Sequence, residues 1–142
     1  MLPSYKRKNP NIKYEVWIVF DKDSFPSHDF DNAIAMAKAQ NFETAHSNEA
    51  FELWYLLHFE FYHTGISRSQ YGKLLSNYLG KKYRKKDPEI YELLQNLENS
   101  SESQAILNAE KLIGLHSNTP ESASNPITYV HKLIQELNKF IE

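Results

Sequence analysis

Two hydrophobic patterns divide the chain: dense apolar runs in the first fifty residues, and helically spaced apolar positions interrupted by capping residues behind them. Tyr14 to Phe20 (YEVWIVF) is almost continuous in β-branched and aromatic residues, which predicts a strand buried on both faces, as in a parallel sheet. The run stops at Asp21-Lys22-Asp23-Ser24, followed by Pro26. Asp29 or Asp31 then caps a helix to about Ala39, with Phe30, Ile34 and Ala37 (with Ala33) at helical spacing. Phe42 to Ser47 is the next predicted strand. A strand, helix and strand in such close succession form a βαβ unit, so the two strands should be parallel.

Asn48 is placed to cap a helix from Glu49 to about Tyr62, whose FELWYLLHFEFY core is apolar on most faces and must be covered nearly all round. Ser67-x-x-Gln70 is a capping-box pattern and Gly80 a matching stop, predicting a helix from Arg68 to Leu79. Asp87-Pro88 opens a helix to about Leu97, and Ser101-x-x-Gln104 opens another ending near Leu115. His116 to Asn125 is a polar loop, expected to be mobile. Asn125-Pro126 opens the last helix, on which Val130, Leu133, Ile134, Leu137 and Ile141 make an apolar stripe. Leu2 to Ile12 is basic, proline-punctuated and expected to be a flexible lead-in. The predicted architecture is α/β over residues 14–63 with a helical part over 67–142.

The length of 142 residues fits one domain, and 41 % hydrophobic and 13 % aromatic content excludes a disordered chain. With no cysteine, a disulfide framework and a thiolate zinc site are excluded. No apolar run reaches the roughly 18 residues of a membrane span, and the basic start lacks the apolar stretch of a signal peptide, so a cytoplasmic location and no membrane partner are expected. Charge is unevenly spread: residues 1–86 carry a balance of +4 and residues 87–142 a balance of −6. A polyanion should therefore meet the first part.

Three groups of residues carry candidate chemistry. Asp21 and Asp23 follow the predicted strand, where open α/β sheets bind ligands, and two acids one residue apart on a strand share a face. Such a pair suits Mg²⁺, which takes one or two carboxylates and keeps waters and phosphate oxygens; it serves equally in a turn that caps the next helix. Glu52 lies inside the apolar helix near its N-terminus, on the same sheet rim. It is either a third acid or a buried structural hydrogen-bonding group. Asn48 and His58 flank it as supporting residues, although a lone histidine among aromatics is more often a satisfied core residue. Lys81, Lys82, Arg84 and Lys85, in the run KKYRKK, can neutralise phosphates while Tyr83 stacks on a base; a solvated helix end explains the same run.

FDKD after a hydrophobic strand, then S-N-x-x-F-E-L-W-x-L-L-H-F, then K-K-Y-x-K-x-D-P-x-I-Y and N-P-x-T-x-V-x-x-L-I, resembles the RloB family across Tyr14 to Leu137. Glu49 stands where that family usually has proline. The resemblance implies a single RloB-like domain over 1–142, with a Toprim-like, Rossmann-like parallel sheet. It implies a metal-dependent nuclease of bacterial phage defence by abortive infection, with RNA favoured over DNA. On that pattern Asp21 and Asp23 hold Mg²⁺ or Mn²⁺, Glu52 completes the catalytic acids, and an ATPase of the same defence system is a partner. Toprim-like sites also draw a glutamate from an earlier strand. No acid precedes Tyr14, so the chain is expected to be a truncated member with low activity and an open strand edge that favours a homodimer. Two other readings fit the residues: a non-catalytic interaction module that docks the ATPase, and a haloacid-dehalogenase-type phosphatase, which also ends a strand in D-x-D.

Overall fold

The computed structural model describes residues 14–141, and the lead-in expected over Leu2 to Ile12 lies outside the described residues. Strand β1 (Trp17–Asp21), helix α1 (Ser27–Ala39) and strand β2 (Glu43–Asn48) form the expected βαβ unit. The two strands are parallel, with Trp17 opposite Glu43 and Asp21 opposite Ser47. Helices α2 (Glu52–Leu56), α3 (Arg68–Leu79), α4 (Ile90–Asn96) and α5 (Glu102–Leu115) follow, then a 3₁₀ turn at Glu121–Ala123, strand β3 (Ile127–Thr128) and helix α6 (Val130–Asn138). The protein is thus a mixed α/β fold.

The sheet is mixed, not purely parallel as expected. β3 pairs antiparallel to β2, with Ser47 opposite Thr128 and Asn48 opposite Ile127, giving the order β1-β2-β3. The Ser47 and Thr128 hydroxyls lie 2.7 Å apart across this pair. Asn125-Pro126 therefore leads into a strand, and the last helix begins only at Val130. A sheet strand so comes from the rear part that the periodicity marked as wholly helical.

β1 is an edge strand among the described residues, and its apolar run is not buried on both faces: Val19 is 48 % and Ile18 36 % exposed. Alternation sorts the side chains of β2. Ala45 enters the main core with Leu53, Leu56, Leu57, Leu75 and Leu112, while His46 faces α1, where Phe30 meets it edge-on at 5.6 Å. α1 buries Phe30, Ile34 and Ala37 as its spacing predicts, but Ala33 is exposed. Neither Asp29 nor Asp31 caps it. The helix starts behind Pro26, and Asp31 instead accepts hydrogen bonds from the backbone and hydroxyl of Ser122 at 2.9 and 2.6 Å.

The capping signals place α3 and α5 accurately. Ser67 and Gln70 form the reciprocal box, Gly80 closes α3 at φ 74°, and the Ser101 hydroxyl accepts from the Gln104 N–H. α4 begins later than predicted, because Asp87 accepts from Glu89 N–H in a turn while also pairing with Lys81. The helix expected to reach Tyr62 stops at Leu56, and Asn48 does not cap it. His58 supplies the physical reason. Its ring Nδ1 lies 2.9 Å from the carbonyl oxygen of Trp54, the group that its own backbone N–H would take in a continuing helix; that N–H turns to Tyr55 instead. The polar loop over 116–125 is not loose either, since Asn48 donates to the Glu121 and Ser122 carbonyls and Glu121 binds Tyr129. The stripe is covered over its first half: Val130 is buried and Leu133 and Ile134 pack against the core, whereas Leu137 and, beyond α6, Ile141 are exposed.

Burial holds His58 below the ordinary histidine range, because the charged ring would lose its water. A histidine depressed in the folded state binds fewer protons there than in the unfolded chain. Stability is therefore full above pH 6.5 and falls as the pH drops below it. His58 alone contributes at most about 1.4 kcal/mol per pH unit. Thermal melts between pH 7.5 and 5.5 should show a falling midpoint that is shallower in His58→Asn; parallel profiles would assign the acid sensitivity elsewhere.

Candidate acidic site at the sheet rim

Asp21 is the last residue of β1 and shares the sheet face of Ala45 and Ser47, so its side chain points toward the helical layer. The end of β2 then holds the chain: Lys22 N–H donates to the Ser47 carbonyl at 2.8 Å and Asp23 N–H to the Glu49 carbonyl at 2.9 Å. Asp23 adopts φ 47°, in the left-handed region that aspartate tolerates better than most side chains. Strand alternation was expected to bring the two aspartates to one side. Asp23 lies beyond the strand, and this left-handed turn does it instead.

Glu52 opens α2 and is 2 % exposed. Arg68 opens α3 opposite it and joins all three acids. Its Nη2 lies 2.9 Å from Asp21 Oδ2 and 3.4 Å from Asp23 Oδ2, and its Nη1 lies 3.2 Å from Glu52 Oε1. The second oxygen of Glu52 accepts from the Tyr83 hydroxyl at 2.8 Å. The predicted acids therefore meet, and Arg68 and Tyr83 are the two members that reading the sequence missed. The Ser67-x-x-Gln70 capping box accounts for this segment without giving Arg68 a task. The overlooked signal was a cation in the first turn of a helix, where the dipole disfavours positive charge unless acids compensate it. Tyr83 was expected to stack its ring on a base. Its ring is half-buried and its hydroxyl is bonded to Glu52.

Burial works against the charge of Arg68 but is outweighed by its bond to Asp21 and by the field of Glu52 and Asp23, so the guanidinium is held above its ordinary pKa. Burial and the bond to Glu52 likewise push the Tyr83 phenol up, keeping it a donor. Three carboxylates against one guanidinium leave the cluster net negative. Among the described residues no group of three or more His, Asp or Glu side chains is arranged to hold a metal ion. What converges is the aspartate pair, since both carboxylates reach the same nitrogen.

The remaining candidates divide. Lys81 pairs with Asp87 at 2.6 Å and Glu89 at 3.2 Å, which neutralises it. Lys82, Arg84 and Lys85 are exposed, in a loop beyond the Gly80 cap and not on a helix end. Lys81, Lys82, Arg84 and Lys86 line a groove of about 580 Å³, and Tyr83 in their midst ties that loop to Glu52. Asn48 and His58 were expected to support the acids. Asn48 is turned to the 121–122 carbonyls and His58 to Trp54, and neither touches the cluster.

A mixed α/β fold with paired aspartates at a strand end, a buried glutamate and a basic loop defines the class of domain. The family model of RloB-like protein matches residues 4–137, most of the chain, and the protein belongs to that family. No curated protein and no solved structure matches it. No helix among the described residues is long and apolar enough to cross a membrane.

Removing Glu52 leaves the Tyr83 hydroxyl and one face of Arg68 without their acceptor. Glu52→Ala should cost roughly 1–3 kcal/mol in chemical denaturation, whereas Glu52→Gln, whose amide oxygen still accepts one bond, should cost less. Equal stability of wild type and both variants would mean that the glutamate is not bound in this way.

Proposed function

We propose that this RloB-like chain carries a divalent-cation-dependent, phosphodiester-cleaving site of Toprim type, acting on nucleic acid, with RNA favoured, in defence against phage. The observation that carries the reading is the convergence of Asp21 and Asp23 on one guanidinium nitrogen, backed by a buried glutamate. That donor set fits Mg²⁺ or Mn²⁺, because two hard carboxylates suffice for a cation that keeps its waters and takes phosphate oxygens. Such a cation, when bound, supplies charge neutralisation and activates a water for in-line attack at phosphorus.

The residues have distinct tasks. Asp21 and Asp23 hold the cation. Arg68 presents a planar fork that can exchange carboxylate oxygens for phosphate oxygens, which match the same donor geometry. Glu52 positions Arg68 and is itself fixed by Tyr83. Lys82, Arg84 and Lys86 give the backbone of the strand a cationic path leading to the site.

A second reading, docking of a partner such as an ATPase of the same system, is favoured by the exposed apolar side chains at Ile18 and Val19 on β1 and at Leu137, Phe140 and Ile141 at the chain's end.

Cleavage of end-labelled RNA and single-stranded DNA in Mn²⁺ tests the first reading. It predicts cation-dependent cleavage, faster on RNA, that drops about 100-fold or more in Asp21→Asn. Absence of cleavage, or cleavage that Asp21→Asn leaves intact, contradicts it.

A further inference from the structure

On the far side of α2 from the acids lies a cavity of about 450 Å³. Phe51, Tyr55 and Tyr91 line it together with Leu94, Gln95 and Ile134, and the nearly buried Trp54 shows the cavity only part of its ring. Two polar groups in this lining lack a full set of partners. The Ser100 hydroxyl oxygen is buried and has no hydrogen-bond partner among the described residues. His58, 5 % exposed, spends Nδ1 on the Trp54 carbonyl, and no hydrogen bond reaches its Nε2 among the described residues. Since a carbonyl only accepts, Nδ1 carries the proton and Nε2 of the neutral ring is an open acceptor. Ser101 N–H donates to the His58 carbonyl at 2.9 Å, which holds Ser100 beside His58.

We propose that this cavity receives one unpaired nucleobase of a bound strand, stacked on its rings and read at its edge by His58 and Ser100. A base edge sets an N–H donor beside a ring nitrogen or carbonyl acceptor, the complement of an accepting Nε2 next to a donating hydroxyl. Flat aromatic walls stack on a base of any sequence. Glu102 is the charged residue of the lining and disfavours a phosphate inside. The phosphates have their own place, because Phe51, Tyr55 and Tyr83 form a chain of ring contacts at 5.3 and 6.2 Å that leads from the cavity to the basic loop. Glu52 opens α2 and His58 lies just beyond its end, so a base held here sets the register of the bound strand at the acids. The inference deepens the nuclease reading by assigning its specificity pocket, and rests on that reading only for the last step.

Trp54 lies in the wall and is one of two tryptophans in the chain, so Trp17→Phe isolates its fluorescence. Short single-stranded oligonucleotides titrated into this protein in EDTA should quench Trp54 saturably, and an abasic strand of equal charge should not. Ser100→Ala removes an unpartnered hydroxyl, so it should keep or raise the melting temperature while weakening the quench several-fold. Tyr91 is exposed and its loss is tolerable for folding; Tyr91→Ala should weaken binding roughly 5- to 150-fold, as loss of a stacking ring does. Equal quenching by the abasic strand, or full affinity in both variants, overturns the proposal. Quenching by N-acetyl-phenylalaninamide as strong as by nucleoside monophosphates overturns it in favour of a partner protein's side chain. Base-dependent quenching without any Mn²⁺-dependent cleavage would leave the base pocket standing and remove the nuclease reading alone; cleavage without quenching would do the reverse.

Discussion

The guanidinium of Arg68 is the interaction on which the rest of the arrangement depends. Among the described residues it is the one group that touches the end of β1, the turn after it, and the start of α2, while itself opening α3. Remove that charge and three carboxylates, from the end of β1, the turn after it and the start of α2, face one another in a partly desolvated space. Like charges so placed repel one another. The sheet rim and the helical layer are thus joined by charge at the place where the hydrophobic core gives way to the surface.

The three ion pairs do not count equally. Asp23 is half exposed, and its contact with Arg68 is of the kind that contributes little in water. Asp21 is better covered, and Glu52 is almost fully buried, so its pairing matters most: an unpaired carboxylate there would be costly. Glu52 meets the requirement by giving one oxygen to Arg68 and the other to Tyr83. This division suits a site in which the two shallower acids can change partner while a third, deeper one holds the scaffold still. It also explains why the basic loop stays near the acids, since Tyr83 anchors the middle of a run whose cations would otherwise be free to leave.

What sequence reasoning reached follows the range of each signal. Capping is local chemistry, so Ser67, Gln70, Gly80 and Ser101 marked α3 and α5 correctly. The parallel pairing of β1 with β2 followed from the strand–helix–strand succession, and the three acids were singled out from a carboxylate pair after a strand and a carboxylate inside an apolar helix. Long-range pairing was not legible. Ile127-Thr128 is too short to announce a strand and becomes one only because β2 offers it an edge. An apolar strand run says that neighbours are wanted and not that they are present, so the exposure of Val19 could not be read from it. The end of α2 was missed because a side chain, His58, took a backbone acceptor. Arg68 was hidden because its capping neighbours already explained the segment.

Under the proposed reading, Arg68 occupies the place of a cation between Asp21 and Asp23 in the protein as it stands. Thermal unfolding of Arg68→Gln with and without millimolar Mn²⁺ tests it most directly. Without the metal the variant should melt well below wild type, since its acids have lost their counter-charge. With Mn²⁺ it should recover much of that loss, and by more than wild type gains, an effect that vanishes when Asp21→Asn and Asp23→Asn are added. A variant that melts like wild type, or one that Mn²⁺ does not restore, would make the cluster a structural ion-pair network and not a cation site.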